Sequence, residues 1–274
     1  MTEHDGTADT GWTTLRLDRP LAGVVVLTLD RPDRLNAMTD TMFRELETVA
    51  LALDRAEGLR VLVVTGAGRA FCAGYDLADA EKLTSLGAMG MLDLQERAAR
   101  ALAALRSIRV PVIAAVNGAA AGGGLSLSLA ADIRLAAPTA KFNAAFVRIG
   151  LSAGDLGASW LLTRLIGPAA TAEFVYTGRL MEAAEAERTG LVNRLVPADE
   201  LLDAAVEMAG LICANSPGGV QLSKRALQAN MEIGSYAAAL ELENRGQALL
   251  TRAEDMPEAL EAFRHGRAPV FTGR

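Results

Sequence analysis

Short runs of aliphatic residues alternate with longer segments of helical spacing through the first half of the chain. The runs at Val24–Leu29, 61–65, Val112–Val116 and Ile133–Ala136 are rich in β-branched residues and predict buried strands. Helices are predicted over about 39–56, where apolar residues recur at helical spacing, and over about 91–105. This alternation is typical of βαβ units, so a mostly parallel α/β arrangement is expected.

From about residue 155 the pattern becomes almost entirely helical. We expect a lone strand over 190–196 and helices over 156–165, 168–176, 183–189, 200–214, 219–230, 235–249 and 256–263. A boundary near residue 200 follows. It separates an α/β core of residues 1–200, of which 1–11 are expected to be loose, from a helical section of residues 201–274. Because this helical section is apolar, we expect it to pack on another surface, such as a second subunit.

Composition excludes several classes of partner. The formal net charge of −6 argues against nucleic-acid binding, which usually needs a basic face. Charged residues interrupt every long apolar run, so no transmembrane helix is expected. The polar, acidic N-terminus is unlike a signal peptide. Two cysteines are too few for a disulfide scaffold, and a reduced cytoplasmic protein is the default expectation.

Histidine is nearly absent, which restricts the possible chemistry. The chain contains only His4 and His265, one at each end. A Ser-His-Asp or Cys-His site needs a histidine in the folded core, and zinc sites usually need one too. We therefore expect no metal, and acid–base chemistry should come from carboxylates, tyrosine, lysine or the backbone.

Two turns built of small residues follow two of the predicted strands. They span 71–77 and 117–125, and the second contains three consecutive glycines and opens a helix. Side by side, such turns can direct two backbone N–H groups at one oxygen, which is an oxyanion hole. The amides at a helix start lack intrahelical partners and lie at the positive end of the helix dipole. The alternative is that the glycines only permit close packing.

A nucleotide site is a competing interpretation of the glycines. Gly66-Ala-Gly68 follows a predicted strand, as in dinucleotide-binding folds. The third glycine of that motif is missing from its register, and no helix is predicted directly after it. The motif therefore favours an NAD site only weakly.

Several segments in a fixed order resemble the enoyl-CoA hydratase/isomerase, or crotonase, superfamily. They are residues 31–38, 63–77, 111–124, 131–134, 177–179 and 185–197, and the resemblance runs from about residue 12 to the end. It implies an α/β fold that is a spiral of ββα units, with a helical C-terminal section that drives trimerisation, often into a dimer of trimers. It also implies a coenzyme A thioester as the substrate, with no separate cofactor.

The same resemblance assigns binding positions. It implies that Tyr75 and Gly123 donate the two oxyanion N–H groups, and that Ala37 and Ala73 lie in the thioester-binding backbone. Coenzyme A carries phosphates although the chain is acidic, so local basic residues are needed, and Arg34 is the candidate near the nucleotide. Phe263 is expected to line the coenzyme A pocket near the C-terminus. The resemblance leaves Asp76 and Asp132 with structural roles, as a helix cap and a strand-end anchor.

The chain departs from a typical hydratase of this family at both catalytic glutamates. The first position is three residues after the middle glycine and holds Ser126; the second is four residues before Gly150 and holds Phe146. Neither side chain can act as a carboxylate base, and general acid–base groups contribute about 10²–10⁴-fold each. Hydration should therefore be weak. We expect Phe146 to form an apolar wall and Ser126 to fill space facing the substrate.

One carboxylate remains nearby, Asp155, which resembles the acid of the family's double-bond isomerases. It precedes a Gly-x-x-x-Leu-Leu helix as theirs does, although counted from Gly150 it is one residue late. Apolar neighbours such as Trp160 should raise its pKa and suit it to moving a proton between two carbons. The alternative is that Asp155 caps the following helix. The Tyr75 hydroxyl could enter the same pocket or only shape it.

Function is therefore predicted as acyl-CoA processing, with double-bond isomerisation by Asp155 favoured. Four alternatives remain: enoyl-CoA hydration, as the family name suggests; thioester hydrolysis; decarboxylation or retro-Claisen cleavage on the same oxyanion hole; and acyl-CoA binding with little turnover. The expected assembly is a homotrimer or a hexamer.

Overall fold

The computed structural model describes residues 11–76, 78–79, 83 and 85–274, and a large sheet forms its centre. The six strands of this sheet have the order β1-β2-β3-β5-β7-β10. Strand β1 is antiparallel to β2, and the other neighbours are parallel, as the alternation predicted. The strands are β1 Leu15–Leu21, β2 Val24–Leu29, β3 Val61–Gly66, β5 Val112–Val116, β7 Ile133–Ala136 and β10 Arg194–Leu195.

A second, four-stranded sheet was not predicted from the sequence. Its order is β4-β6-β8-β9, with β4 at Ala70–Cys72, β6 at Ala119–Ala121, β8 at Lys141–Asn143 and β9 at Leu180–Glu182. Each strand has only three residues, too few for a period to be recognised. Consecutive strands such as β3 and β4, or β5 and β6, enter different sheets before a helix follows. The α/β fold of repeated ββα units is therefore confirmed.

The helices follow the sequence expectation closely within the described part of the chain. The predicted strand over 190–196 is shorter than expected, because only Arg194–Leu195 pairs with β7. Short 3₁₀ helices lie at Pro32–Arg34 and Ala145–Ile149. The α-helices are α1 Asp40–Arg55, α2 Gly87–Ser107, α3 Gly123–Ala130, α4 Ala158–Leu165, α5 Pro168–Thr177, α6 Ala183–Thr189, α7 Leu201–Cys213, α8 Pro217–Asn230, α9 Tyr236–Leu250 and α10 Asp255–Arg264.

Two apolar clusters cover the two faces of the large sheet. The main cluster joins one face to α1, α2 and α3, and the aromatic residues Phe43, Phe71 and Phe142 are fully buried in it. On the other face, Leu201 and other residues of α7 pack on β2, β3 and β5. Helix α7 thus completes the core. The proposed division at residue 200 stays a prediction, and residues 1–10, which were expected to be loose, lie outside the described residues.

Glu45 of α1 fixes the segment that leads into β1. Its two carboxylate oxygens accept hydrogen bonds from the backbone N–H and the hydroxyl of both Thr13 and Thr14, at 2.5–2.9 Å. Burial acts to raise the pKa of Glu45, but these hydrogen bonds outweigh it and the pKa is lowered. The ionised carboxylate is therefore the form that stabilises the fold.

We expect Glu45→Ala to lower the free energy of unfolding by about 1.5–3 kcal/mol, because buried donors lose a charged acceptor. Urea denaturation at neutral pH measures the loss. Glu47→Ala on the same helix is the control, since within the described chain Glu47 makes only a 3.5 Å surface pair with Arg100. A carboxylate whose pKa is lowered by folding stabilises the fold at pH values above its unfolded-state pKa. The difference in unfolding free energy between wild type and Glu45→Ala should therefore shrink as the pH falls. Equal losses in the two variants contradict this role.

Candidate active site

The two glycine-containing turns lie next to each other. Strands β4 and β6 are parallel neighbours, so the turns that follow them leave the same edge of the small sheet. A Cβ atom added to Gly74, whose φ is +96°, would lie 2.8 Å from the Ala121 carbonyl oxygen and 3.6 Å from the Gly123 nitrogen. The predicted juxtaposition of the two turns is therefore present.

Close packing accounts for part of the glycine triplet. A Cβ atom on Gly124 would stand 2.1 Å from the Cys72 carbonyl oxygen, so no larger residue fits there. Gly122 has a φ of +51°, which favours glycine. Neither constraint applies to Gly123, where a Cβ atom would meet only the side-chain atoms Met38 Sδ at 3.1 Å and Leu156 Cδ1 at 3.5 Å. Backbone conformation and packing thus account for Gly122 and Gly124, and the oxyanion role of Gly123 stays a prediction.

Backbone pairing determines where the Tyr75 amide points. Tyr75 forms a parallel bridge with Met38, in which Met38 N–H donates to the Gly74 carbonyl at 2.7 Å and Asp76 N–H donates to the Met38 carbonyl at 2.9 Å. In such a bridge the central residue directs its own N–H away from the partner strand. The Tyr75 N–H therefore points away from Met38.

Gly123 is the first residue of α3, where the amides have no intrahelical acceptor. The helix hydrogen bonds begin when Ser126 N–H donates to the Gly122 carbonyl at 3.1 Å. The Gly123 N–H lies at the positive end of the helix dipole, which favours an oxygen that gains negative charge. The role of the Tyr75 and Gly123 amides as a pair of donors to one oxygen stays a prediction.

Asp155 lies close to the start of α3. Its side chain is half-buried and accepts a hydrogen bond on Oδ1 from the Gln95 side-chain amide. Burial raises the pKa of Asp155, and the hydrogen bond from Gln95 opposes that rise only in part. The raised pKa of Asp155 agrees with the expectation from its apolar neighbours.

Asp155 does not cap the next helix with its side chain. Helix α4 begins at Ala158 after Gly157 and has no side-chain cap. Only the backbone carbonyl of Asp155 accepts from Ala158 N–H, at 2.9 Å. The capping alternative is therefore wrong, and the carboxylate is left for another role.

The two residues that replace the hydratase glutamates both lie at this site. Ser126 is completely buried, and its hydroxyl donates to the Asp155 carbonyl at 3.3 Å. The Phe146 ring approaches within 3.7 Å of the Cβ position on Gly122. Ser126 therefore links α3 to the Asp155 turn. The expected roles of Ser126 as a filler facing the substrate and of Phe146 as an apolar wall stay predictions.

An ion pair holds the first turn in place. The Arg31 guanidinium donates to Asp76 Oδ2 at 3.0 Å and to the Ala37 carbonyl. Asp76 also accepts from Ala78 N–H at 3.1 Å, and most of the helix that it was expected to cap lies outside the described residues. Burial acts to raise the pKa of Asp76, but the Ala78 amide and the Arg31 charge lower it overall. Asp76 thus has a structural role.

Asp132 has the structural role that was expected. Its Oδ2 accepts from Val112 N–H at 2.8 Å, which fixes the start of β5. The same oxygen lies 2.8 Å from the buried ammonium group of Lys224 on α8. Asp132 therefore ties the C-terminal helices to the large sheet.

Only some of the residues assigned to coenzyme A binding lie near one another. Ala73 N–H donates to the Leu35 carbonyl at 3.0 Å, so it joins the first turn to the segment that holds Ala37. Arg34 is exposed at the end of a 3₁₀ helix next to that segment. Phe263 lies on α10 with 86% of its surface exposed, and no described contact joins it to the site. These binding roles stay predictions.

A cavity of about 400 Å³ opens beside Tyr75, between α1 and α2. Leu86, Leu94 and the Asp40–Arg97 ion pair belong to its lining. The Tyr75 ring stacks near Phe43, with centroids 6.2 Å apart. Burial and nearby carboxylates raise the pKa of Tyr75, so its hydroxyl stays neutral. Tyr75 therefore shapes this cavity.

Two residues of the site were missed by sequence reasoning: Gln95 contacts Asp155, and Met38 pairs with the first turn. Leu156 was expected as an apolar neighbour of Asp155, but its φ of +47°, which is rare for a leucine, was not. Nothing in the periodicity distinguishes Gln95 from other polar residues of α2. Within the described residues, no cluster of side chains suits a metal ion and no helix could cross a membrane.

Comparison with known proteins finds relatives that match almost the whole chain. The family model for enoyl-CoA hydratase/isomerase matches residues 20–274. The Mycobacterium tuberculosis protein named "Probable enoyl-CoA hydratase EchA12" is 40% identical over 269 residues, covering 93% of this chain and 92% of that protein. The crystal structure of an enoyl-CoA hydratase from Bacillus anthracis has a TM-score of 0.91 at 31% identity, covering 96% of this chain and all of that one.

A solved isomerase is similar as well. The crystal structure of a monofunctional enoyl-CoA isomerase from Mycobacterium smegmatis has a TM-score of 0.71 at 41% identity, covering 83% of this chain and 98% of that chain. Proteins named as hydratases and one named as an isomerase are thus both similar to this chain. The chain belongs to the enoyl-CoA hydratase/isomerase family.

Proposed function

We propose that this enzyme moves a carbon–carbon double bond in an enoyl-CoA thioester, converting the 3-enoyl form to the 2-enoyl form. The observation that carries the proposal is the half-buried Asp155 beside the start of α3, with Ser126 and Phe146 where a hydratase has its glutamates. Hydration needs two polar groups to hold and activate a water. Isomerisation needs one proton carrier and a stabilised enolate, and these side chains match that requirement.

The mechanism uses the backbone amides of Tyr75 and Gly123 to hold the thioester carbonyl oxygen. As a carboxylate, Asp155 takes a proton from the carbon next to the carbonyl, and the electron pair spreads onto that oxygen as a dienolate. Asp155, now protonated, returns the proton to the fourth carbon. The double bond then lies between the second and third carbons, and no atom is gained or lost.

The local environment supports this assignment of the base. A raised pKa brings a carboxylate closer to neutrality, where it can both accept and return a proton. The apolar Phe146 wall disfavours a bound nucleophilic water. Amides at a helix start and at a constrained turn are already aligned before the reaction, so they need no reorganisation when charge develops.

Purified enzyme tests the proposal with two substrates. We expect rapid conversion of a 3-enoyl-CoA to the 2-enoyl product, monitored by the conjugated thioester absorbance, and little hydration of crotonyl-CoA. Rapid hydration of crotonyl-CoA is the contrary result. Mass spectrometry of the products reveals hydrolysis or decarboxylation if either occurs.

The functional unit is proposed to be a homotrimer, alone or paired as a hexamer, in the cytoplasm. Support comes from the apolar side chains that α8, α9 and α10 expose, among them Leu227, Leu249 and Phe263. Exposed apolar surface on this scale is typical of subunit contacts. Light scattering coupled to size-exclusion chromatography measures the number of subunits.

A further inference from the structure

The main-chain carbonyl of Asp155 accepts two hydrogen bonds, which hold its backbone in place. Its carbonyl accepts from the Ser126 hydroxyl at 3.3 Å and from Ala158 N–H at 2.9 Å. The next residue, Leu156, has a φ of +47°. Its side chain packs against Gly123, 3.5 Å from where a Cβ atom on that glycine would lie. A leucine keeps such a backbone conformation only when its surroundings impose it. The backbone of Asp155 is therefore fixed, and the remaining freedom is rotation of its side chain.

Gln95 restricts that rotation. Helix α2 buries Leu94, Ala98, Ala101 and Leu102 against the core, and Gln95 lies at the edge of this stripe. From there its amide reaches Oδ1 of Asp155. An ionised carboxylate can only accept hydrogen bonds, so the amide must present its N–H. Gln95 thus holds one carboxylate oxygen and leaves Oδ2 as the oxygen that can face a substrate.

We propose that Gln95 is the positioning residue for the catalytic base: it orients Asp155 through Oδ1 so that Oδ2 carries the proton between the two substrate carbons. This inference rests on the proposed isomerase function. Gln95 does not react and touches no reacting atom. Its hydrogen bond also favours the ionised carboxylate over the protonated one, against the effect of burial. No charged side chain contributes to the pKa of Asp155 within the described chain.

Two variants separate positioning from packing. Gln95→Met keeps the length and helix propensity of the side chain but removes the donor. Gln95→Glu replaces the donor with a negative charge. We expect Gln95→Met to lower kcat about tenfold, within the range that misplacement of a catalytic group produces, with KM nearly unchanged. The acidic limb of the kcat–pH profile should move to higher pH in Gln95→Met and further in Gln95→Glu, since a like charge opposes ionisation.

Glu96→Ala is the control, because Glu96 is exposed on the same helix and only approaches Arg100 at 3.9 Å. Its kcat and pH profile should match wild type. A lower kcat in Gln95→Met with an unmoved acidic limb overturns the inference, and so does wild-type behaviour of both Gln95 variants while Asp155→Asn is inactive. If Asp155→Asn isomerises at the wild-type rate, the proposed function itself loses its base.

Discussion

Asp155→Asn should lower kcat for conversion of a 3-enoyl-CoA by about 10²–10⁴-fold, the usual contribution of a general acid–base group. Asparagine keeps the size of the side chain but cannot take up or return the proton. The Asp155 backbone contacts do not depend on the carboxylate, so the fold should persist. Steady-state kinetics measures the loss, and calorimetry with a saturated acyl-CoA should show nearly unchanged binding.

The pH profile provides a second measurement of the same residue. Asp155 must be ionised to take the first proton, so activity should fall as the pH drops through its pKa. Burial raises that pKa, and no charged neighbour in the described chain lowers it. The acidic limb should therefore lie above the pKa of an ordinary aspartate. A limb at or below the ordinary value contradicts this account of the site.

Asp93→Asn is the matched control for the charge change. Asp93 lies on α2 and lines the cavity beside Tyr75, so its replacement alters the charge of that cavity without removing the proposed base. We expect a change in KM and little change in kcat. If Asp155→Asn and Asp93→Asn lower kcat equally, the loss reflects pocket charge, and Asp155 is not the base.

The sequence predicts the long elements well because each has a period to detect. Val24–Leu29 and Val112–Val116 are strands with the expected bounds, and α1 begins one residue after Thr39, whose hydroxyl accepts from Met42 N–H. The small sheet was missed, since three-residue strands such as Ala119–Ala121 are defined by their neighbours in space. The sequence pattern of a three-residue segment does not show which strands it pairs with in the folded protein.

Part of the candidate site can be predicted from the sequence, and part of it depends on the folded structure. The glycine turns are visible in the chain itself, and the family resemblance is what identifies Ser126 and Phe146 as the positions of the hydratase glutamates. The restraint of Asp155 by Gln95 is not visible, since 60 residues separate the two and only the packing of α2 brings them together. The left-handed φ of Leu156 is equally hidden, because leucine carries no signal for that conformation.

The second large effect is expected from Gly123→Pro, which should lower kcat by about 10²–10³-fold, the cost of removing one oxyanion donor. Gly123 is the first residue of α3, and proline is well tolerated at that position because its missing N–H has no intrahelical acceptor. The substitution thus deletes one backbone donor without removing a helix hydrogen bond. Stopped-flow or steady-state isomerisation assays measure the loss, and circular dichroism checks the fold.

Gly123→Ala separates the lost donor from the added Cβ atom. Both variants add a Cβ atom that meets Met38 Sδ at 3.1 Å and Leu156 Cδ1 at 3.5 Å, and both contacts are with side-chain atoms that can shift. Alanine keeps the N–H, so its kcat should stay within about tenfold of wild type, whereas proline should show the full loss. Because the proposed donor acts on the thioester oxygen, Gly123→Pro should impair any reaction of this enzyme on a thioester carbonyl, isomerisation or hydration alike. Equal losses in the two variants mean that bulk alone is responsible, and then Gly123 does not donate to the substrate.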